Sequence, residues 1–104
     1  MSDHFNQLTP AQAERLAMLA EECGEVIQII GKILRHGYDN YHPARPHITN
    51  RELPQRELTD LASVSHMIHG RDRVFMYDTV ALDAAWEKKL RYAHHQEEMG
   101  ASHE

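Results

Sequence analysis

The sequence Glu22-Cys23-Gly24-Glu25 decides the fold together with a second stretch of the same form, Glu57-Leu58-Thr59-Asp60. Each stretch holds two acids separated by two residues, a spacing that puts both carboxylates on one face of an α-helix. At about 100° per residue, each pair also shares its face with apolar side chains. These are Met18, Val26, Ile29 and Ile33 for the first pair, and Leu53, Leu61, Val64 and Ile68 for the second.

The apolar surroundings of these acids indicate a metal site. An unpaired carboxylate is costly to bury, so a cation or a shared proton must balance it. Oxygen ligands favour Mg²⁺, or Mn²⁺, over zinc, which would be expected to use His and Cys. We therefore predict a magnesium site whose ligands are Glu22, Glu25, Glu57 and Asp60. The alternative is that the four acids belong to rows of surface ion pairs, but no basic residue occupies their apolar faces.

Length and composition favour one small helical domain spanning residues 1–104. The apolar fraction is 41% and the aromatic fraction only 7%, which suits an all-α protein better than a β-sandwich. The formal charge of −5, without a basic stripe, argues against nucleic acid as a partner. The lone Cys23 favours a reducing compartment, and no signal peptide or membrane-spanning run is recognisable. We expect a soluble, cytoplasmic protein that does not interact with membranes.

Capping signals predict three helices. Thr9-Pro10-Ala11-Gln12 reads as a capping box that starts a helix ending near Arg35, with Gly37 as an αL stop. Asn50 is the predicted cap of a second helix that reaches His69 and ends at Gly70, with Pro54 tolerated in its first turn. A third helix is predicted from Asp78 or Thr79 to about Glu97. Residues 1–8 are expected to form a loose arm and residues 98–104 a disordered tail.

The first helix carries more apolar surface than one neighbouring helix can cover. A second apolar face lies beside the acid-bearing one, and small residues continue it. We therefore expect a subunit interface on this helix. The second face consists of Leu16, Leu19, Cys23, Ile27, Ile30 and Leu34, and the small residues are Ala13, Ala17, Ala20, Gly24 and Gly31.

The two acidic stretches, with their flanking residues, also resemble a family signature. Leu19-Ala20-Glu21-Glu22-Cys23-Gly24-Glu25-Val26 and Arg56-Glu57-Leu58-Thr59-Asp60-Leu61 are similar to the EExxE…ExxD motif of MazG-like, all-α nucleoside triphosphate pyrophosphohydrolases. The resemblance covers roughly residues 9–69. Thr59 departs from the pattern, since the family more often has a small residue such as glycine at that position.

The resemblance implies a fold and an activity. The fold would be a bundle of three to four helices per chain, completed by dimerisation and possibly forming a tetramer. The activity would be Mg²⁺-dependent cleavage of a (d)NTP between the α and β phosphates, giving (d)NMP and pyrophosphate. The implied metal ligands are Glu22, Glu25, Glu57 and Asp60, which are also the catalytic candidates together with Glu21. Glu21 would orient a water or reach an outer metal, unless it is simply a solvated surface acid.

Candidates for contacting the substrate lie outside the acidic motifs. The third helix is predicted to carry an apolar stripe of Leu82, Trp86, Leu90 and Ala93. Lys89 lies at one margin of this stripe and is the candidate phosphate ligand, and Asp83 lies at the other margin. Tyr92 is a further candidate, and Tyr38 belongs to the Pro-containing segment 36–50, which would be a lid or an ordinary connection. Trp86 is expected in the core rather than stacked on a base.

Two other functional classes remain open at this stage. A catalytically inactive helical dimer could use the same scaffold to bind a nucleotide or a protein partner without turnover. A di-metal redox or storage bundle is disfavoured because the Glu-x-x-His pattern of di-iron bundles is missing.

Overall fold

The computed structural model describes residues 5–96, and in that range the regular secondary structure is helical. Helix α1 spans Pro10–His36, α2 spans Leu53–Asp72 and α3 spans Leu82–Leu90. An isolated bridge between Tyr41 and Thr49 is the β-type pairing found in this part of the chain. The predicted all-α class is therefore confirmed. The predictions for residues 1–4 of the arm and for the tail at 98–104 lie outside the described residues.

Helix α1 begins as the sequence predicts. The hydroxyl of Thr9 accepts a hydrogen bond from the Gln12 N–H at 3.1 Å, and the Gln12 side chain accepts one from the Thr9 N–H at 2.9 Å. This capping box satisfies two backbone donors at the helix start. Gly37 ends the helix at φ 84°, where a side chain would be strained, but its ψ of 171° is extended. The prediction that Gly37 ends the helix is therefore confirmed, with glycine at positive φ. The predicted αL conformation is wrong, because the ψ angle is extended.

The predicted start of α2 at Asn50 is wrong. The helix begins at Leu53, and its N-cap residue Glu52 makes no capping hydrogen bond through its side chain. Asn50 is instead buried, and its Nδ2 donates to the carbonyl oxygen of Gly37 at 2.9 Å. Its amide therefore joins the two ends of the connecting loop, a long-range role that local capping rules do not reveal. Pro54 does lie in the first turn, as predicted.

The predicted end of α2 at Gly70 is also wrong. The helix continues through this glycine to Asp72, and Arg73 ends it in the αL conformation at φ 63°. The predicted glycine stop failed because glycine only permits the left-handed conformation and does not impose it. The segment after Arg73 contains neither helix nor strand until α3, and the carbonyl of Phe75 in this connector accepts a hydrogen bond from the Ser65 hydroxyl.

Residues 37–52 form an ordered loop that is closed at its base. The Asn50 N–H donates to the Asn40 carbonyl at 2.8 Å. Arg51 pairs with the Asp39 carboxylate at 3.1 Å and lies over the Tyr38 ring, with 4.8 Å between the guanidinium carbon and the ring centre. The loop thus holds α1 and α2 in a fixed hairpin.

Helices α1 and α2 pack as an antiparallel pair. Asn50 and Gly37 meet at the loop end, while Arg15 of α1 forms a two-point ion pair with Asp72 of α2 at 2.9 and 3.3 Å at the opposite end. The hydrogen bonds and charge of Arg15 lower the pKa of the Asp72 carboxyl. Between these ends the hydrophobic core is small, because only Leu19 and Ile68 are buried hydrophobic residues in the described range.

Helix α3 is shorter than predicted and lies apart from the hairpin. It covers nine residues, where the sequence predicted about twenty. The Asp78 carboxylate accepts hydrogen bonds from the N–H groups of Val80 and Ala81, so this segment forms a turn before the helix starts. No Cα of α3 lies within 8 Å of a Cα of α1 or α2. Within residues 5–96, no helix is long and apolar enough to cross a membrane.

Candidate functional site

The structure brings the predicted acids together across the α1–α2 pair. Glu22, Glu57 and Asp60 each offer a carboxylate oxygen, and these atoms lie within 4.8 Å of one another. Glu21, Glu22 and Glu25 meet the same criterion on α1. The i, i+3 spacing aligns the acids of each helix, and antiparallel packing places the two pairs side by side. Their roles as metal ligands and catalytic groups remain predictions.

The cluster is half-buried rather than fully buried. Glu22, Glu25 and Glu57 are partly covered, whereas Asp60 and Glu21 are exposed. One oxygen of Glu22 and one of Glu57, the Oε2 atom in each case, are shielded from solvent and have no hydrogen-bond partner among the described residues. A shielded, unpaired oxygen is unfavourable, since it has lost water without gaining a donor.

The pKa values of two acids respond to this crowding. Burial raises the pKa of Glu22 above its ordinary value, and the charges of Glu25, Asp60 and Glu21 raise it further. The pKa of Glu57 is raised chiefly by a hydrogen bond to Glu25, then by burial and by the neighbouring negative charges. Both shifts mean that the site favours an added positive charge, either a proton or a cation.

The donor set fits a hard divalent cation. Every side chain in the cluster supplies carboxylate oxygens, which are the preferred ligands of Mg²⁺ and Mn²⁺. The two orphaned oxygens of Glu22 and Glu57 are free to serve as ligands, because no protein donor occupies them in the described range. Clusters of exposed acids are also common without any ion. The residues present are therefore compatible with the predicted metal, and the orphaned atoms are the feature that distinguishes this cluster.

An open cleft of about 690 Å³ adjoins the cluster at Asp60. Its lining includes a cation that the sequence reasoning did not single out, Arg56, which has no ion pair with any residue that the structure describes. The spacing could have revealed this residue, because Arg56 lies four positions before Asp60 and therefore on the same side of α2. The other lining residues are Glu52, Gln55 and Thr59.

The structure does not bring the predicted substrate-binding residues to the acids within one chain. Lys89 and Asp83 are exposed on α3, none of whose Cα atoms lies within 8 Å of a Cα of α1 or α2. Tyr92 follows that helix and is exposed as well. Tyr38 lies in the loop, where the guanidinium of Arg51 covers its ring. Trp86 is half-exposed and not in the core that was expected for it. The phosphate-binding role of Lys89 would thus require a second chain or a movement of α3.

Comparison of the chain with protein families, with curated proteins and with solved structures found no match.

Proposed function

We propose that this protein is a Mg²⁺-dependent nucleoside triphosphate pyrophosphohydrolase that converts a (d)NTP and water into (d)NMP and pyrophosphate. The observation that supports this most directly is the convergence of Glu22, Glu57 and Asp60 with two orphaned carboxylate oxygens. A site that concentrates negative charge and leaves oxygen atoms unpaired is suited to a cation, and triphosphates bind to proteins together with Mg²⁺. Mn²⁺ is the alternative metal.

The residues of the chain divide into three roles in this proposal. Glu22, Glu25, Glu57 and Asp60 hold the metal, which when bound supplies positive charge to the phosphate chain and makes water more acidic. Glu21 is exposed beside Glu22 and Glu25, so it can orient the attacking water and accept its proton. Arg56 lines the adjoining cleft, where its guanidinium can bind phosphate oxygens in two-point geometry.

The proposed reaction places water on the α phosphorus. Water attacks this atom, the bond to the bridging oxygen of the β phosphate breaks, and pyrophosphate leaves with the bonding electrons. An exposed cleft beside the acids is compatible with such a substrate, because the base and sugar can remain partly in solvent.

The active species in this proposal is a homodimer or a homotetramer. The three to four helices of one chain would form a complete bundle together with the helices of a second chain. Helix α3 of that second chain could bring its Lys89 to the acidic cluster. The proposed location is the cytoplasm, a reducing compartment in which the exposed thiol of Cys23 would stay unpaired.

A substrate panel tests the activity. We expect Mg²⁺ and one or more (d)NTPs to release pyrophosphate, and the isosteric variants Glu25→Gln and Asp60→Asn to lower kcat by at least about a thousandfold, since each removes a ligand charge. Glu14→Gln is the matched control, because it neutralises an exposed acid of α1 outside the cluster. Release of orthophosphate instead of pyrophosphate would contradict the proposal. Nucleotide binding without turnover by the wild-type protein would favour the inactive helical dimer.

A further inference from the structure

The cleft beside the acids follows one side of α2. Its lining residues recur every three or four positions and are all exposed: Glu52, Gln55, Arg56, Thr59 and Asp60. At about 690 Å³ the cleft falls within the range of about 300–1,000 Å³ that is typical of small-molecule sites. The cleft thus extends from Asp60 of the acidic cluster, past Arg56, to Glu52 at the start of α2.

The charges along this cleft alternate in sign. Arg56 lies four residues after Glu52 and four residues before Asp60, so a carboxylate lies one helical turn away on each side of the guanidinium. No ion pair joins Arg56 to either acid in the described part of the chain. The guanidinium and both carboxylates are therefore available to a bound ligand.

The carboxylate of Glu52 is not used by the fold that the structure describes. Residue 52 is the N-cap of α2, where a side-chain oxygen usually accepts a backbone N–H, yet Glu52 makes no such bond. The first turn is satisfied by the backbone instead. The N–H groups of Glu52 and Leu53 donate to the Thr49 carbonyl, and the Gln55 N–H donates to the Glu52 carbonyl. The side chain of Glu52 is thus free to contact a ligand in the cleft.

We propose that Glu52 accepts a hydrogen bond from the 2′-hydroxyl of the substrate's ribose, so that the cleft selects ribonucleoside triphosphates over their 2′-deoxy counterparts. This inference rests on the proposed function, in which Arg56 binds phosphate. A carboxylate accepts hydrogen bonds from hydroxyls but repels phosphate, so Glu52 can face the sugar and not the phosphate chain. The nucleoside then lies toward Glu52, and the leaving pyrophosphate lies away from it.

The spacing along α2 matches this orientation. Four residues separate Arg56 from Glu52, which corresponds to about 6 Å along a helix axis. Six covalent bonds join the α phosphorus of a nucleotide to its 2′ oxygen, and in a bent chain with bonds of about 1.5 Å they span roughly 6 Å. An α phosphate bound by Arg56 therefore places the 2′-hydroxyl level with Glu52.

A surface ion pair with Arg56 is the alternative role for Glu52. Glutamate and arginine four residues apart on a helix attract each other weakly. Such a pair would compete with the phosphates of ribonucleotides and deoxyribonucleotides equally, because both carry the same phosphate chain. An effect of Glu52 that depends on the 2′-hydroxyl therefore distinguishes sugar contact from this ion pair.

Calorimetric titration of the full chain in Mg²⁺ tests the inference by binding alone. The two ligands are α,β-methylene-ATP and its 2′-deoxy form, neither of which can be cleaved between the α and β phosphates. The wild-type protein should bind the ribonucleotide about tenfold more tightly, on the order of one charge-assisted hydrogen bond. Glu52→Ala should bind the two ligands with equal affinity. Glu14→Ala is the matched control and should keep the tenfold preference, because it removes an exposed acid outside the cleft.

Each other result decides against the inference in a recognisable way. A wild-type protein that binds both analogues equally overturns the inference and leaves the proposed function standing, whereas one that binds neither contradicts both. A preference that persists in Glu52→Ala also overturns the inference. If Glu52→Ala does not fold, Glu52→Gln replaces it. This variant keeps the shape and a neutral acceptor, so its preference should fall to roughly threefold, and an unchanged tenfold preference overturns the inference.

Discussion

Glu57 shows how one side chain can be unfavourable for the fold and useful for binding. Hydrogen bonding with Glu25 is the main cause that raises its pKa, and its Oε2 atom is shielded from solvent without a partner among the described residues. Its pKa is raised in the folded state, so the folded protein holds a proton there more tightly than the unfolded chain does. Such a carboxyl stabilises the fold when protonated, and this contribution is lost as pH rises past the ordinary value of 4.5.

Glu57→Gln should therefore raise the melting temperature of the metal-free protein by a few degrees near about pH 7.5, because it removes a negative charge while keeping a polar group beside Glu25. The gain should shrink as pH falls toward 4.5, where the wild-type carboxyl is protonated. Added Mg²⁺ should raise the melting temperature of the wild-type protein more than that of the variant.

Glu14→Gln provides the comparison for this measurement, since it removes an exposed acid outside the cluster. It should change the melting temperature little at any pH and leave the response to Mg²⁺ intact. A Glu57→Gln variant that is less stable than wild type near neutral pH without metal would show that crowding of the acids is not the source of the raised pKa.

Asn50 is the residue that local sequence rules misplace. Its type and position match a helix cap, yet its side chain is 2% exposed and bonds to Gly37, thirteen residues earlier. Its Oδ1 has no hydrogen-bond partner among the described residues. The Gly37 bond satisfies a carbonyl at the end of α1, so Asn50 serves the C-terminus of one helix instead of the N-terminus of the next.

At the scale of the elements, α1 and α2 start in physically different ways. Helix α1 has a complete local signal, because Thr9 and Gln12 satisfy each other's backbone N–H groups. Helix α2 has no side-chain cap, and the backbone N–H groups of Glu52 and Leu53 donate to the Thr49 carbonyl instead. The start of α1 is therefore encoded locally, whereas the loop that closes on Asn50 sets the start of α2.

Thr9→Ala should destabilise the protein by about 1 kcal/mol, in the range of roughly 0.5–2 kcal/mol found for loss of an N-cap. The reason is that the N–H of Gln12 loses its acceptor in the first turn of α1. The free energy of unfolding can be measured by urea titration. Thr79→Ala is the matched control, since Thr79 is exposed and lies outside the helices, and its effect should stay within about 0.5 kcal/mol. Equal losses in the two variants would argue against a stabilising capping box.

At the scale of the whole molecule, the described chain has too small a core for independent stability. Leu19 and Ile68 are the buried hydrophobic side chains among the described residues, and no Cα of α3 lies within 8 Å of a Cα of α1 or α2. A helix of nine residues is marginal in water without tertiary packing. These features indicate that folding and association are coupled, as the proposed homo-oligomer requires.

The melting temperature should therefore increase with protein concentration across roughly a hundredfold range, because association stabilises the folded state by mass action. Calorimetry or circular dichroism at several concentrations measures this directly. Val80→Glu, which changes a 91% exposed side chain outside the hairpin, should show the same dependence as the wild-type protein. A melting temperature independent of concentration would mean that the chain reaches its full stability as a monomer.

The sequence alone determined the helical class, the start of α1 and the alignment of the acids within each helix. These features depend on residues three or four positions apart, and such spacings act through local backbone geometry. Only the tertiary structure decided that the two acid pairs meet, that Asn50 binds Gly37 and that Arg56 lines the cleft. Each of these depends on how separate helices and the connecting loop pack, and residues far apart in the chain determine that packing jointly.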